Sequence, residues 1–156
     1  MKVAIVAVGR LRAGPEAALV ADYLARFDRT GRPLGMGPAS VLEVDDRRGG
    51  GIEAEAALIA AAIPKGALLV ALDERGANPT SVEFARMLRR WADDGTPSVA
   101  FAIGGADGLD PGLRSCAGVS ISFGRMVWPH LLARVMLAEQ LYRAATILAG
   151  SPYHRA

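Results

Sequence analysis

The stretch "KVAIVAV" fills residues 2–8, and its reading decides the fold. After Lys2 every residue is apolar, at odd and even positions alike. A strand with one wet face alternates apolar and polar side chains, whereas a strand apolar on both faces belongs in a parallel sheet covered by helices on each side. Working outward, runs of similar length follow: "ASVLEV" (39–44), "ALLVAL" (67–72), "SVAFAI" (98–103) and "GVSISF" (118–123), most of them apolar on both faces. Helical patterns lie between them. Pro15 and Glu16 open "PEAALVADYLARF", suiting a first helical turn. "GIEAEAALIAAAI" (51–63) is alanine-rich and stops at Pro64. "TSVEFARMLRRWADDG" (80–95) carries a capping-box pattern, Thr80 with Glu83, and a terminal glycine stop at Gly95. A long last helix runs from Pro129 to about Ala149, ended by Gly150-Ser151-Pro152. Strand alternating with helix predicts one α/β domain over 1–156 with a mainly parallel sheet flanked by helices.

Composition agrees. The chain has 156 residues, 51% hydrophobic and 22% charged, enough for a real core and unlike a disordered segment. Net charge is only +2, so the molecule is no polycation, but the charge is uneven. Residues 1–37 hold six Lys/Arg against three acids, and 125–156 hold four Arg against one Glu. Two basic ends brought together would suit an anionic partner such as RNA. The alternative is a scatter of solvated charges. The single cysteine, Cys116, excludes an intrachain disulfide, fits a reducing cytoplasm and reads as a small apolar residue. The N-terminal apolar run is too short to span a membrane.

Ligands of open parallel sheets bind beyond the carboxyl ends of the strands. Those segments are "GRLRAGPE", "DERGANPT", "GGADGLDP" and "GRMVWPH". No P-loop, no G-x-G-x-x-G after the first strand, no HExxH and no G-x-S-x-G is present, which removes the usual phosphate, dinucleotide, zinc-protease and serine-hydrolase readings. Two histidines without cysteine partners give no metal site. What remains are glycine-bearing loops near the later strand ends, without the cations needed to neutralise phosphates. They either hold a nucleoside-type ligand such as S-adenosylmethionine or are turns of a generic α/β domain.

Four motifs then resemble one family: "LDERG" (72–76), "FAIGGADGL" (101–109), "WPHLLARVMLAEQLYRA" (128–144) and the terminal "SPYHR", with "VAVGRLR" near the start. They are similar to the RlmH family, large-subunit ribosomal RNA pseudouridine N3-methyltransferases of the SPOUT superfamily, over essentially the whole chain. The resemblance implies an α/β fold whose C-terminal segment forms a trefoil knot, a cytoplasmic homodimer, and S-adenosylmethionine as methyl donor. The implied substrate is pseudouridine 1915 in helix 69 of 23S rRNA, methylated on assembled 70S ribosomes, with no membrane partner. By position, Leu72, Gly104 and the loop Phe123, Gly124, Arg125, Met126, Val127 and Trp128 carry over as cofactor-binding. That loop departs from the family pattern. Gly124 stands for a serine, Val127 for a threonine and Trp128 for a smaller apolar residue, so two hydroxyls are lost and backbone groups take over their work.

The chemistry suggests roles for the tail. The imide N–H at N3 must lose its proton, and histidine titrates near working pH. His154 is the base candidate, Tyr153 a platform on which a splayed base stacks, and Arg155 a cation for phosphate or the developing anion. A featureless terminal tail is the competing reading. His130, directly after Pro129, caps or buttresses the last helix. Arg134, one turn on, faces the RNA or a partner subunit. Rival functions are methylation of another RNA, which calls for an added RNA-binding domain, and a ribosome-associated binder without cofactor, which the altered loop keeps open.

Overall fold

The structure is a computed structural model and describes residues 1–45 and 49–153. Among the described residues five strands alternate with five α-helices: β1 Lys2–Val8, α1 Pro15–Gly31, β2 Ala39–Val44, α2 Gly51–Ala62, β3 Leu68–Ala77, α3 Ser81–Asp93, β4 Ser98–Ile103, α4 Pro111–Ser115, β5 Val119–Ile121 and α5 His130–Leu148. The strands form one sheet in the order β2-β1-β4-β3-β5, and every pairing is parallel. The alternation along β1 feeds two cores. Val3, Ile5 and Ala7 point to the face covered by α1, α3 and α5, meeting Phe27, Leu88, Trp91 and Leu141. Ala4, Val6 and Val8 point to the other face, meeting Ile59 of α2 and Leu113 of α4. This two-sided burial is what the uninterrupted apolar run required.

Most element ends sit where local chemistry puts them. Thr80 caps α3: its hydroxyl accepts from the Glu83 amide at 3.2 Å, and the Glu83 carboxylate accepts from the Thr80 amide at 2.7 Å. α1 runs to Gly31, four residues past the end of the quoted pattern. Two strands differ from expectation more usefully. β3 continues through "DERGA" to Ala77, because Leu72 and Ala77 both pair with Ile121 and residues 73–76 arch between them. β5 stops at Ile121: the Ser122 amide still bonds the Ala77 carbonyl at 2.7 Å, and the chain then leaves the sheet. Short helix α4 went unread from the sequence. Its signal was Asp110-Pro111, an N-cap aspartate accepting from the Gly112 and Leu113 amides at 2.8 and 3.0 Å, with proline at the first position. Cys116 follows it and is exposed, not packed. Among the described residues no helix is long and apolar enough to cross a membrane.

Candidate active site

A cleft of about 680 Å³ opens beyond the carboxyl ends of β3, β4 and β5. That is the size of a small-molecule site, placed where parallel sheets bind ligands. Its first wall is the arch Asp73–Gly76. A Cβ built at Gly76 would lie 2.6 Å from the Ile121 backbone, so only glycine lets the arch close onto β5. Asp73 is its inner pin, accepting from the Arg75 amide at 2.9 Å and from Arg114 Nη1 at 3.0 Å. Burial pushes the Asp73 carboxyl up, but the Arg75 amide and the Arg114 guanidinium outweigh it and hold it below its ordinary value.

The second wall is the loop Gly104–Leu109 after β4, folded back so that Gly105 bridges to Gly108. A Cβ on Gly104 would stand 2.1 Å from the Gly108 carbonyl oxygen. The glycine is thus demanded by the loop's own turn before any ligand arrives. The third wall is residues 122–130. The Ser122 hydroxyl accepts from the Gly124 amide at 3.1 Å and donates to its carbonyl at 2.9 Å, holding a turn in which Gly124 has φ of +115°. This is a left-handed conformation that a serine would adopt at a cost, which gives the departure at position 124 a local reason. Beyond it Met126, Val127 and Trp128 are 72%, 84% and 41% exposed, a bare apolar rim.

α5 is set against these walls by Arg134, whose side chain is fully buried. It donates to the Val8 carbonyl, to the Gly9 carbonyl at 2.8 Å and to Glu43 at 3.2 Å, while Glu43 also accepts from the Leu11 amide at 2.7 Å. The expectation that Arg134 faces RNA or a partner is therefore corrected. Its guanidinium satisfies carbonyls at the end of β1, and its charge is used inside the subunit. His130 and Ala133, earlier on the same helix, line the cleft. Pro129, at the N-cap, makes no side-chain cap, and His130 opens the helix on the cleft wall. Charge in the cleft is mostly acidic, with Asp73, Glu74 and Asp107 against Arg75, which itself lies 3.7 Å from Glu74.

A family model described as "Predicted SPOUT methyltransferase" matches residues 1–154. A protein of Cereibacter sphaeroides named ribosomal RNA large subunit methyltransferase H is 68% identical over 155 residues, 99% of each chain. The chain belongs to the RlmH family of SPOUT methyltransferases. Its RlmH relatives in Dinoroseobacter shibae and Paracoccus denitrificans are 65% and 64% identical, again over 99% of each chain. Solved structures share the fold at low identity. TrmJ from Z. mobilis aligns with a TM-score of 0.53 at 15% identity, over 90% of this chain and 69% of that one. A probable methyltransferase from Bordetella pertussis aligns at 0.52 and 16%, over 92% and 95%.

Within this RlmH frame, Leu72, Gly104, Phe123, Gly124, Met126, Val127 and Trp128 all line the one cleft, while Arg125 is exposed outside its lining. Tyr153 also lies outside it, against α5. His154 and Arg155 fall outside the described residues.

Proposed function

We propose that the cleft binds S-adenosylmethionine and that the chain methylates N3 of pseudouridine 1915 in helix 69 of 23S rRNA, on assembled 70S ribosomes, as a cytoplasmic homodimer. The observation that carries this reading is the meeting of three separated segments, 72–76, 103–109 and 121–133, around one cleft whose donor set fits the cofactor. Leu72, Ile103, Leu109 and Trp128 offer apolar walls to an adenosyl group. The folded loops 104–108 and 122–128 offer backbone amides and carbonyls. Carboxylates in place of free cations suit a sulfonium and would repel a nucleoside phosphate.

S-adenosylmethionine supplies an electrophilic methyl group when bound. The chain's own residues do the rest. The apolar side chains of Met126, Val127 and Trp128 border the cleft mouth, where they would restrict water at the reacting groups. His154 takes the N3 proton, with His130 on the cleft wall as the alternative acceptor, and Arg155 steadies the charge that develops. For assembly, the support is a second groove of about 420 Å³ between α1, α3 and α5, lined by Leu19, Tyr23, Val135 and Met136, with Leu19 left exposed in it. For the C-terminal knot, the support is that β5 follows β4 in the chain yet lies beyond β3, after which α5 returns to pack on α1 and α3.

Calorimetry with S-adenosylmethionine and mass spectrometry of nuclease-digested ribosomal RNA test the proposal. Micromolar cofactor binding and one new methylpseudouridine on 70S particles are expected. Absence of binding favours the cofactor-free ribosome binder, and methyl transfer to transfer RNA alone refutes the substrate. His154→Ala lowers turnover by roughly 10²-fold if it is the base. Arg155→Ala weakens ribosome binding most at low salt and flattens its salt dependence. A monomer in sedimentation at micromolar concentration removes the dimer.

A further inference from the structure

We infer that Tyr153 is the anchor of the C-terminal tail: Tyr142, Glu139 and Arg143 of α5 hold its ring and hydroxyl, so it fixes the point from which His154 and Arg155 depart. It is a positioning residue and not a platform for an RNA base. This rests on the reading above that the tail acts on the substrate.

The chain reverses at the end of α5. Gly150 has φ of +67°, its amide bonds the Ile147 carbonyl at 3.1 Å, and the Ser151 amide bonds the Thr146 carbonyl at 2.9 Å. That is a left-handed glycine stop, which turns the following residues back along the helix they have just left. Tyr153 consequently meets side chains 10–14 residues earlier. Its hydroxyl donates to Glu139 Oε1 at 3.2 Å. Its ring lies 4.5 Å from the Tyr142 ring, and the Arg143 guanidinium carbon stands 5.2 Å from its centroid. Its hydroxyl and its ring are thereby both engaged within the subunit, with 37% of the residue left exposed.

The partners are fixed in turn. Glu139 Oε1 accepts from Arg143 Nε at 2.9 Å and Nη2 at 2.5 Å, and Glu139 Oε2 accepts from Gln140 Nε2 at 2.8 Å. Gln140 Oε1 accepts from the Ser81 hydroxyl at 2.8 Å, at the start of α3. Asn78, three residues before Ser81, lies beside the cleft loop, its Nδ2 3.8 Å from where a Cβ on Gly124 would stand. On the other side Tyr142 packs against Tyr23 of α1 at 6.3 Å, so all 3 tyrosines of the chain form one row. The tail thus leaves from a point tied both to α1 and to the segment beside the cleft. Burial and then the Glu139 charge push the Tyr153 phenol up to about 12, which keeps it a neutral donor at working pH.

The test compares Tyr153→Ala, Tyr153→Phe and a chain ending at Tyr153, reading kcat and KM on 70S ribosomes for all three and the backbone amide order parameters of residues 154–156 for the two full-length variants. Expected for Tyr153→Ala is a kcat lower by roughly 10²-fold, the cost of a reacting group displaced by about 1 Å, with KM within about twofold. The order parameters of 154–156 fall in the same variant. Tyr153→Phe keeps the ring contacts and rescues kcat to within about tenfold of the parent. It also serves if the alanine variant does not fold, and order parameters at the parent value in both phenylalanine and alanine proteins overturn the anchor. A raised KM with unchanged kcat in Tyr153→Ala overturns it too, by making the ring an RNA contact. Tyr153→Ala at the parent rate beside an inactive shortened chain refutes the anchor and leaves the tail's role standing. A shortened chain at the parent rate refutes the tail's role itself.

Discussion

Replacing Gly104 by alanine adds one methyl group, and the structure says where it goes. The new Cβ would lie 2.1 Å from the Gly108 carbonyl oxygen, 2.3 Å from the Gly108 carbonyl carbon and 2.8 Å from the Leu109 nitrogen. All three are backbone atoms, so no rotamer change relieves the clash. Contacts under 3.0 Å are essentially never seen for a real Cβ, so the 105–108 turn must retreat by about 0.9 Å or more. Overpacking of that kind costs about 1–3 kcal/mol of stability. The same retreat moves the backbone groups that face the cleft, and losing one or two of their hydrogen bonds to a ligand, at about 1 kcal/mol each, weakens S-adenosylmethionine about 5- to 30-fold. Calorimetry and thermal melting on the same samples provide the assay. We expect both effects together, in a protein whose circular dichroism still matches the parent. Unchanged affinity alongside a lowered melting temperature would show that the turn's backbone does not touch the cofactor. An unchanged melting temperature would refute the packing argument itself.

Three further outcomes are expected. Arg134→Met keeps most of the side-chain volume but strips the donors from the Val8 and Gly9 carbonyls, costing about 3 kcal/mol and lowering the melting temperature by about 6–12 °C, read by calorimetry. Asp73→Asn loses about 2 kcal/mol at neutral pH; because the folded carboxyl titrates below its ordinary 3.8, the gap to the parent is full above about pH 5 and closes as pH falls through that lower value, and a gap constant down to pH 2 counts against the Arg114 pairing. Arg10 and Arg12 are exposed just past the carboxyl end of β1, so changing both to alanine raises KM for ribosomes and flattens its salt dependence by about one unit of slope per charge removed, with kcat unaltered.

The five strands were legible because each is a short apolar run fitting burial on two faces, and α3 was legible because its capping box is local chemistry. The cleft was legible by position, since in a parallel sheet all strand ends meet at one side. What escaped was non-local. "DERG" reads as a polar turn, and only its second pairing to Ile121 makes it an arch. Arg134 reads as a surface charge on an amphipathic helix until the carbonyls of Val8 and Gly9, some 125 residues away, are found beneath it. His130 reads as a helix opener, and its place on the cleft wall depends on how that seat orients α5. The partners of Tyr153 sit 10–14 residues back, and nothing in "SPYHR" names them. The glycine stop at Gly150 was visible, but not the direction in which it sends the chain.

The central place of β1 has a consequence for how the protein is made. Its edge pairs with β4 from Lys2↔Ser98 to Ala7↔Ile103, so the first strand to leave the ribosome waits for one translated almost a hundred residues later. At about 5–20 residues per second that wait is roughly 5–20 s, long against the microseconds in which a chain collapses. During it, "VAIVAV" has β2 available on one side and nothing on the other. A nascent chain in this state is a natural client for a holding chaperone, and the last elements to emerge, β5 and α5, are those that complete the cleft. The cleft is therefore complete only once β5 and α5 have been made.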